Sequence, residues 1–405
     1  MLILSYPAVY TLELTAECNN RCQGCSNIYS EARTPVTLPA TTWATLLADF
    51  ATQATQLRLS GGEPFLHPEF FDILESVTAY NIPVTIFTNA RWRNPEALVK
   101  RLEGWPNLSG LLVSLHGAQA ESHEFFTHVA GSFDEACANI RLAVDSGLNV
   151  TLSTIITHQS YDEVDAVVAW GQAIGVRRMT FARYLGRPLP GVEPTAAELR
   201  LAIEHIETLK KAGAPVAYGI DIPQCFVSNG STGCMAGVAY VTIDPWGNVR
   251  PCNHSPTIIG SLHEHSMADL WHNDKMNAWR ALMPAECTTC AAYAVCHGGC
   301  RAVQELRPDK RDPLRGEPLV EYSPMQRIKE LPAAARPSAN FKLREETFGY
   351  AILGQGQVVP VAREALQVLN ACDGNLSFAQ LAEQFGQPGL DLLGELWELG
   401  LLKTA

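Results

Sequence analysis

The sequence predicts an α/β protein: a partial (β/α)6 barrel, then a cysteine-rich domain and a small winged-helix-like C-terminal module. Three observations predict it. Short β-rich apolar runs alternate with amphipathic stretches through the first half of the chain, seven of the twelve cysteines crowd into residues 218–301, and apolar patterning resumes from Phe341.

The runs at 9–14, 56–59, 84–88, 110–115, 150–156 and 177–181 are the expected strands, and helically spaced segments separate them. That is the pattern of βα units around a parallel sheet. Ser132 with Glu135 and Ser160 with Glu163 have capping-box spacing, and Gly147 and Gly175 stand where the helices should stop. Three chemically distinctive segments, 18–25, 60–64 and 114–117, directly follow the first, second and fourth strands. Sites in such barrels lie at the C-terminal strand ends.

Beyond residue 216 short strands and turns take over, among them a strand at 240–244 and the turn Pro245-Trp246-Gly247-Asn248. Residues 301–345 hold six prolines and ten Lys or Arg against seven acids, the composition of a mostly extended connector. In the tail, short strands at 342–345 and 350–353 precede a helix over about 362–371 and further helices from Ser377 and Gly389. The expected boundaries are a barrel at 1–215, a cysteine-rich domain at 216–325, a Pro-rich linker at 326–337 and the tail module at 338–405.

At 405 residues the chain is too long for one small module, and 47% apolar residues exclude wholesale disorder. Its net charge of −12 argues against a general nucleic-acid role. No uncharged apolar run approaches the roughly 18 residues that span a bilayer, and residues 1–10 lack the basic start of a signal peptide. A cytoplasmic protein with no membrane or nucleic-acid partner is expected. In that reducing compartment clustered thiols hold metal more often than they form disulfides, which leaves zinc or iron-sulfur.

Cys18-x3-Cys22-x2-Cys25 places three thiolates in one loop, and three ligands on a four-iron cube leave one iron without protein ligation. This spacing after the first strand, with Ser60-Gly61-Gly62-Glu63-Pro64 after the second, resembles the radical S-adenosylmethionine enzymes. The resemblance implies that a 4Fe-4S cluster on Cys18, Cys22 and Cys25 binds S-adenosylmethionine at its open iron. Reductive cleavage then yields a 5'-deoxyadenosyl radical that abstracts hydrogen from a substrate. It also implies that Gly61, Gly62 and Glu63 contact the cofactor's methionyl end and that Ser114 is a further cofactor contact. One departure stands out: the family's usual aromatic before the third cysteine is Gly24 here, with Tyr29 a candidate replacement.

Cys234, Gly247 and Cys252, followed by Cys287-x2-Cys290-x5-Cys296-x3-Cys300, resemble the SPASM domain, which usually carries two auxiliary 4Fe-4S clusters. The resemblance implies Cys234, Cys252 and Cys300 as ligands of the first, with upstream Cys225 a candidate fourth, and Cys287, Cys290 and Cys296 as ligands of the second. The cysteine the family places shortly after Cys300 is missing, so Asp309, Asp312 and Glu317 are candidate substitutes.

Cys137 is more simply a core residue than a hydrogen donor, Cys372 is structural, and His116 at the barrel mouth lines the pocket or acts as an acid-base group. Residues 341–402 resemble PqqD-like recognition domains, in which a leader peptide adds a strand to a sheet edge.

Together these resemblances imply a radical enzyme that modifies a ribosomally made precursor peptide by crosslinking, epimerisation or excision, fed by an electron donor such as flavodoxin or ferredoxin. Two alternatives are a SPASM enzyme acting on a folded protein or small molecule, as sulfatase-maturing relatives do, and a non-catalytic zinc-binding interaction protein.

Overall fold

Val9-Tyr10-Thr11-Leu12-Glu13 is buried on both faces, as a central parallel strand must be when helices cover one side and a packed interior the other. It forms β1 (Val9–Glu13) in a computed structural model that describes residues 2–25, 37–219, 221–227, 233–322, 331–354 and 357–404. The other strands of the first half are β2 (Gln56–Ser60), β3 (Val84–Thr88), β4 (Leu108–Ser114), β5 (Val150–Ile156), β6 (Arg178–Arg183) and β7 (Val216–Tyr218). The next three are β8 (Tyr240–Ile243), β9 (Asn248–Arg250) and β10 (Gly260–Ser261).

These strands make one sheet in the order β10-β9-β8-β1-β2-β3-β4-β5-β6-β7. Neighbours from β8 through β7 run parallel, and β9 and β10 extend the sheet antiparallel. The six expected strands are all present. The sheet also recruits β7, which the expected barrel boundary at 215 excludes, and β8 from the cysteine-rich region. Val216-Ala217-Tyr218 is too short for its apolar alternation to stand out in the sequence.

Helices Ala40–Phe50, Phe70–Thr78, Pro95–Leu102, Ser132–Asp145, Val164–Ala173 and Ala196–Lys211 follow the strands. Gly147 and Gly175 do stop two of them, each with a positive φ. The two expected capping boxes do not form. Ser132 pairs through its hydroxyl with Thr127 at 2.7 Å, and Glu163 instead accepts Ala118 N–H at 2.6 Å and Ser122 O–H at 2.7 Å, tying down the loop after β4. Capping boxes are present at Thr195/Glu198 and Ser377/Gln380.

Buried ion pairs fasten the cysteine-rich region to the barrel. Arg250 of β9 pairs with Glu13 at the end of β1, both fully buried. Arg183, the last residue of β6, grips Asp312 through both guanidinium NH2 groups at 2.7 and 2.6 Å and lies 3.3 Å from Asp221.

The tail has its own core, with Ile352, Leu381, Leu393 and Leu396 at its centre. β12 (Lys342–Glu346), β13 (Gly349–Gly354) and β14 (Gln357–Val361) form an antiparallel sheet beside the pair β11 (Pro337–Ala339) and β15 (Leu402–Thr404). Helix Leu366–Asn370 follows, and the two expected final helices meet at a break at Gly386 and Pro388 within Phe378–Glu398. The module packs on the main body: Ala351 and Leu353 share a core with Leu4, Ala8 and Ala239. Arg344 donates to Tyr6 O at 2.6 Å, and Ser5 N donates to Glu346 at 2.7 Å.

Candidate active site

The loop carrying Cys18, Cys22 and Cys25 leaves β1 and lies where β2, β3 and β4 end. Arg21 N and Gln23 N donate to the Thr127 and Phe126 carbonyls at 2.9 and 2.8 Å, pinning the loop to the helix Ala120–Thr127. Arg91, held by Glu135 at 2.7 Å, donates to Asn19 O at 2.7 Å and to Asn20 Oδ1 at 2.9 Å. Cys18 Sγ accepts from Asn20 N at 3.4 Å and from Asn89 Nδ2 at 3.7 Å. Such N–H···S contacts stabilise a thiolate and tune a cluster bound to it.

Gly61 and Gly62 are required by close backbone contact. A Cβ on Gly61 would sit 2.6 Å from Thr15 O, at a φ of +146°, and one on Gly62 would sit 2.1 Å from Glu17 O. Gly62 N and Glu63 N donate to the Thr15 and Glu17 carbonyls at 2.7 and 2.8 Å, so the motif is zipped onto the stem of the cysteine loop. Glu63 is buried and accepts Thr88 O–H and Asn89 N–H, each at 2.8 Å. Burial pushes its carboxyl up to about 7, against the pull of those hydrogen bonds. Ser114 is the half-buried last residue of β4, in register with Ser153.

At Gly24, φ +63°, a Cβ would fall 2.2 Å from the Tyr184 ring. The aromatic ring beside the cysteine loop therefore comes from the residue after β6, which no local sequence signal reveals. Tyr29 lies outside the described residues. Beyond Tyr184 opens a cleft of about 300 Å³, lined by Arg183, Leu189, Val303, Arg307 and Leu314.

His116 is buried and locked: Ile155 N donates to its Nδ1 at 3.3 Å, and burial, then the neighbouring His123, push its pKa down to about 3. A neutral, internally bonded imidazole supports a lining role over acid-base work. Cys137 packs against the barrel core, and burial raises its thiol to about 11; Cys372 donates to Val368 O at 3.4 Å in the tail core.

The cysteines of the second region fall into two sets. Cys234, Cys252 and Cys300 gather with Ala236, Trp279 and Val303, and Ala236 N donates to Cys234 Sγ at 3.5 Å. Cys287, Cys290 and Cys296 line a second cavity, and Cys225 is with them rather than with the first set. Asp312 also lines that cavity, but both of its carboxylate oxygens are paired with Arg183, and Asp309, which is not among the lining residues, accepts Arg311 N. Among the described residues no three His, Cys, Asp or Glu side chains converge on one point as ligands of a single ion do. In a cluster each thiolate binds its own iron. Thiols spread around a cavity with amide N–H donors behind them fit that donor pattern.

The Radical SAM superfamily matches residues 12–171, and the SPASM iron-sulfur cluster-binding domain matches residues 234–298. The chain carries a radical SAM domain and a SPASM domain. It is a radical SAM enzyme, with S-adenosylmethionine and 4Fe-4S clusters as its cofactors.

The chain is 24% identical over 351 residues to a PqqA peptide cyclase of Granulibacter bethesdensis, spanning 83% of this chain and 93% of that one. It is 25% identical over 348 residues to an AdoMet-dependent heme synthase of Methanosarcina barkeri, spanning 78% and 97%. Among solved structures, SuiB of Streptococcus suis bound to S-adenosylmethionine shares the fold at TM-score 0.61 and 19% identity, covering 78% of this chain and 77% of that one. The enzyme anSMEcpe with bound AdoMet and the Cp18Cys peptide does so at 0.60 and 17%, covering 78% and 93%. No helix among the described residues is long and apolar enough to cross a membrane.

Proposed function

We propose that this enzyme modifies a ribosomally made precursor peptide whose leader is bound by residues 338–405. The observation that carries the reading is the pairing of a radical SAM and SPASM body with a separately cored C-terminal sheet whose outer strands, β12 and β14, have no further partner among the described strands. An extended leader added there gains main-chain hydrogen bonds, while side-chain pockets select its sequence. The PqqA peptide cyclase similarity supports a peptide substrate.

Cys18, Cys22 and Cys25 hold the cofactor-binding cluster, with Gly61, Gly62, Glu63 and Ser114 around it. When bound, this cofactor pair supplies a 5'-deoxyadenosyl radical that removes a hydrogen atom from the substrate. The chain's own residues prepare the site. Arg91 and Asn89 fix the cysteine loop, Glu63 locks the loop after β2 onto the end of β3, and Tyr184 closes over Gly24. The cleft beside Tyr184, at the end of β6, is the candidate entry for the peptide core. The two other thiol sets would hold auxiliary clusters, which would supply electron acceptance or relay, with flavodoxin or ferredoxin as donor, in the cytoplasm.

The test is a search for a short reading frame beside the gene, then co-expression of the peptide it encodes and mass analysis. Loss of two hydrogens marks a crosslink, an unchanged mass with an altered stereocentre marks epimerisation, and a large loss marks excision. Equal modification of the same peptide without its leader contradicts leader capture. The heme synthase similarity favours a second reading, action on a small molecule. That reading predicts that no peptide encoded near the gene is altered.

A further inference from the structure

The seven thiols beyond the first loop divide in space differently from their order along the chain. Cys225 precedes Cys234 by only nine positions. Yet its side chain shares a cavity with Cys287, Cys290 and Cys296, and it lies within electrostatic reach of Cys290 and Cys296. Backbone contacts fix it there. Gln224 N donates to Cys296 Sγ at 3.5 Å, which places the residue beside Cys225 directly on that set.

The segment after Cys300 shows why the place was open. Where the resemblance expects a further cysteine, residues 316–319 bring amides instead. Gly316 N donates to Cys225 Sγ at 3.2 Å and Leu319 N to Cys290 Sγ at 3.2 Å, while Ala291 N donates to Leu319 O at 2.9 Å. The downstream segment thus wraps the set as a donor of N–H groups, and an upstream cysteine occupies the fourth corner.

Cys234, Cys252 and Cys300 are then left as three. They gather in one small core, and Cys300 lies within electrostatic reach of Arg183 at the C-terminal end of β6. Cys137 and Cys372 sit in other cores and cannot join them.

Resting on the reading that both auxiliary clusters are present, we propose that Cys225 is the fourth thiolate of the set Cys287, Cys290 and Cys296. The set Cys234, Cys252 and Cys300 keeps one coordination position for a ligand other than cysteine. The cluster with the replaceable ligand is therefore the one on Cys234, Cys252 and Cys300, and the other is closed by four thiolates, as an electron-transfer cluster is.

Two measurements on the full chain test this without reading turnover. In the first, the reconstituted protein is stripped of iron in stages by ferricyanide and chelator, with iodoacetamide present, and alkylated cysteines are mapped by mass spectrometry. Cys225 should become alkylated in step with Cys287, Cys290 and Cys296; alkylation in step with Cys234, Cys252 and Cys300 overturns the proposal. In the second, a Cys18→Ala/Cys22→Ala/Cys25→Ala background holding about eight irons, two four-iron clusters, is reduced and its electron paramagnetic resonance recorded. Cys225→Ser should perturb the same signal as Cys290→Ser and leave the signal perturbed by Cys252→Ser unchanged; the reverse pattern overturns it. About four irons in that background would instead refute the two-cluster reading beneath it, and the proposal with it.

Discussion

At Gly62 the missing side chain matters because the Glu17 carbonyl already occupies its place. Gly62→Ala must push the loop after β2 off the cysteine loop, a small-to-large change that costs about 1–3 kcal/mol. A fall in thermal midpoint, together with weaker S-adenosylmethionine binding by calorimetry, is the expected outcome. Glu63 adds a pH dependence. Its carboxyl titrates near 7 in the folded chain and near 4.5 as the ordinary value, so between those limits the folded state binds the extra proton. Stability from this group is fully present below the lower value and is lost as pH rises through the upper one, by on the order of 3 kcal/mol. Urea denaturation across that window should show the decline in the cofactor-free wild type and a flatter profile in Glu63→Gln. The motif at 60–64 was legible in the sequence as a place of close backbone approach. Its grip on Thr15 and Glu17 was not, because that contact joins residues more than forty positions apart.

Among elements, the joints between strands and the cysteine-rich region set the geometry. Glu13 and Arg250 are buried without solvent to compensate a lost partner. Arg250→Met should therefore cost about 3–5 kcal/mol, most of it recovered by adding Glu13→Leu, because a matched apolar pair replaces a buried ion pair at little net cost. Chemical denaturation of the two variants checks this. Strands β1 to β6 were legible as alternating apolar runs. β7 was not, since three residues carry no period. The expected capping boxes failed for a tertiary reason: Glu163 has the right spacing from Ser160 but a stronger use at Ala118 and Ser122. The Tyr184 ring over Gly24 was hidden for the same reason, since a missing aromatic in one loop is compensated from another strand end.

Over the whole molecule, cysteine spacing along the chain identified three groups of thiols, while their spatial grouping required the fold. Spacing shows which thiols are near in sequence; Cys225 shows that neighbours in sequence can serve different sets. The tail module's β12, β13 and helices were also legible, whereas β11, β14, β15 and the docking through Arg344 and Glu346 onto Tyr6 and Ser5 were not. Arg344→Met should loosen that docking and speed proteolytic release of the tail module while leaving S-adenosylmethionine cleavage within about twofold, as expected for a surface removed from the cysteine loop. The central claim is that Cys18, Cys22 and Cys25 build a cofactor-cleaving site. Its most direct test is 5'-deoxyadenosine formation from S-adenosylmethionine by the anaerobically reconstituted, dithionite-reduced protein. The wild type should form it and the Cys18→Ala/Cys22→Ala/Cys25→Ala variant should not; equal formation by both, or none by a wild type with its full iron content, would contradict the account.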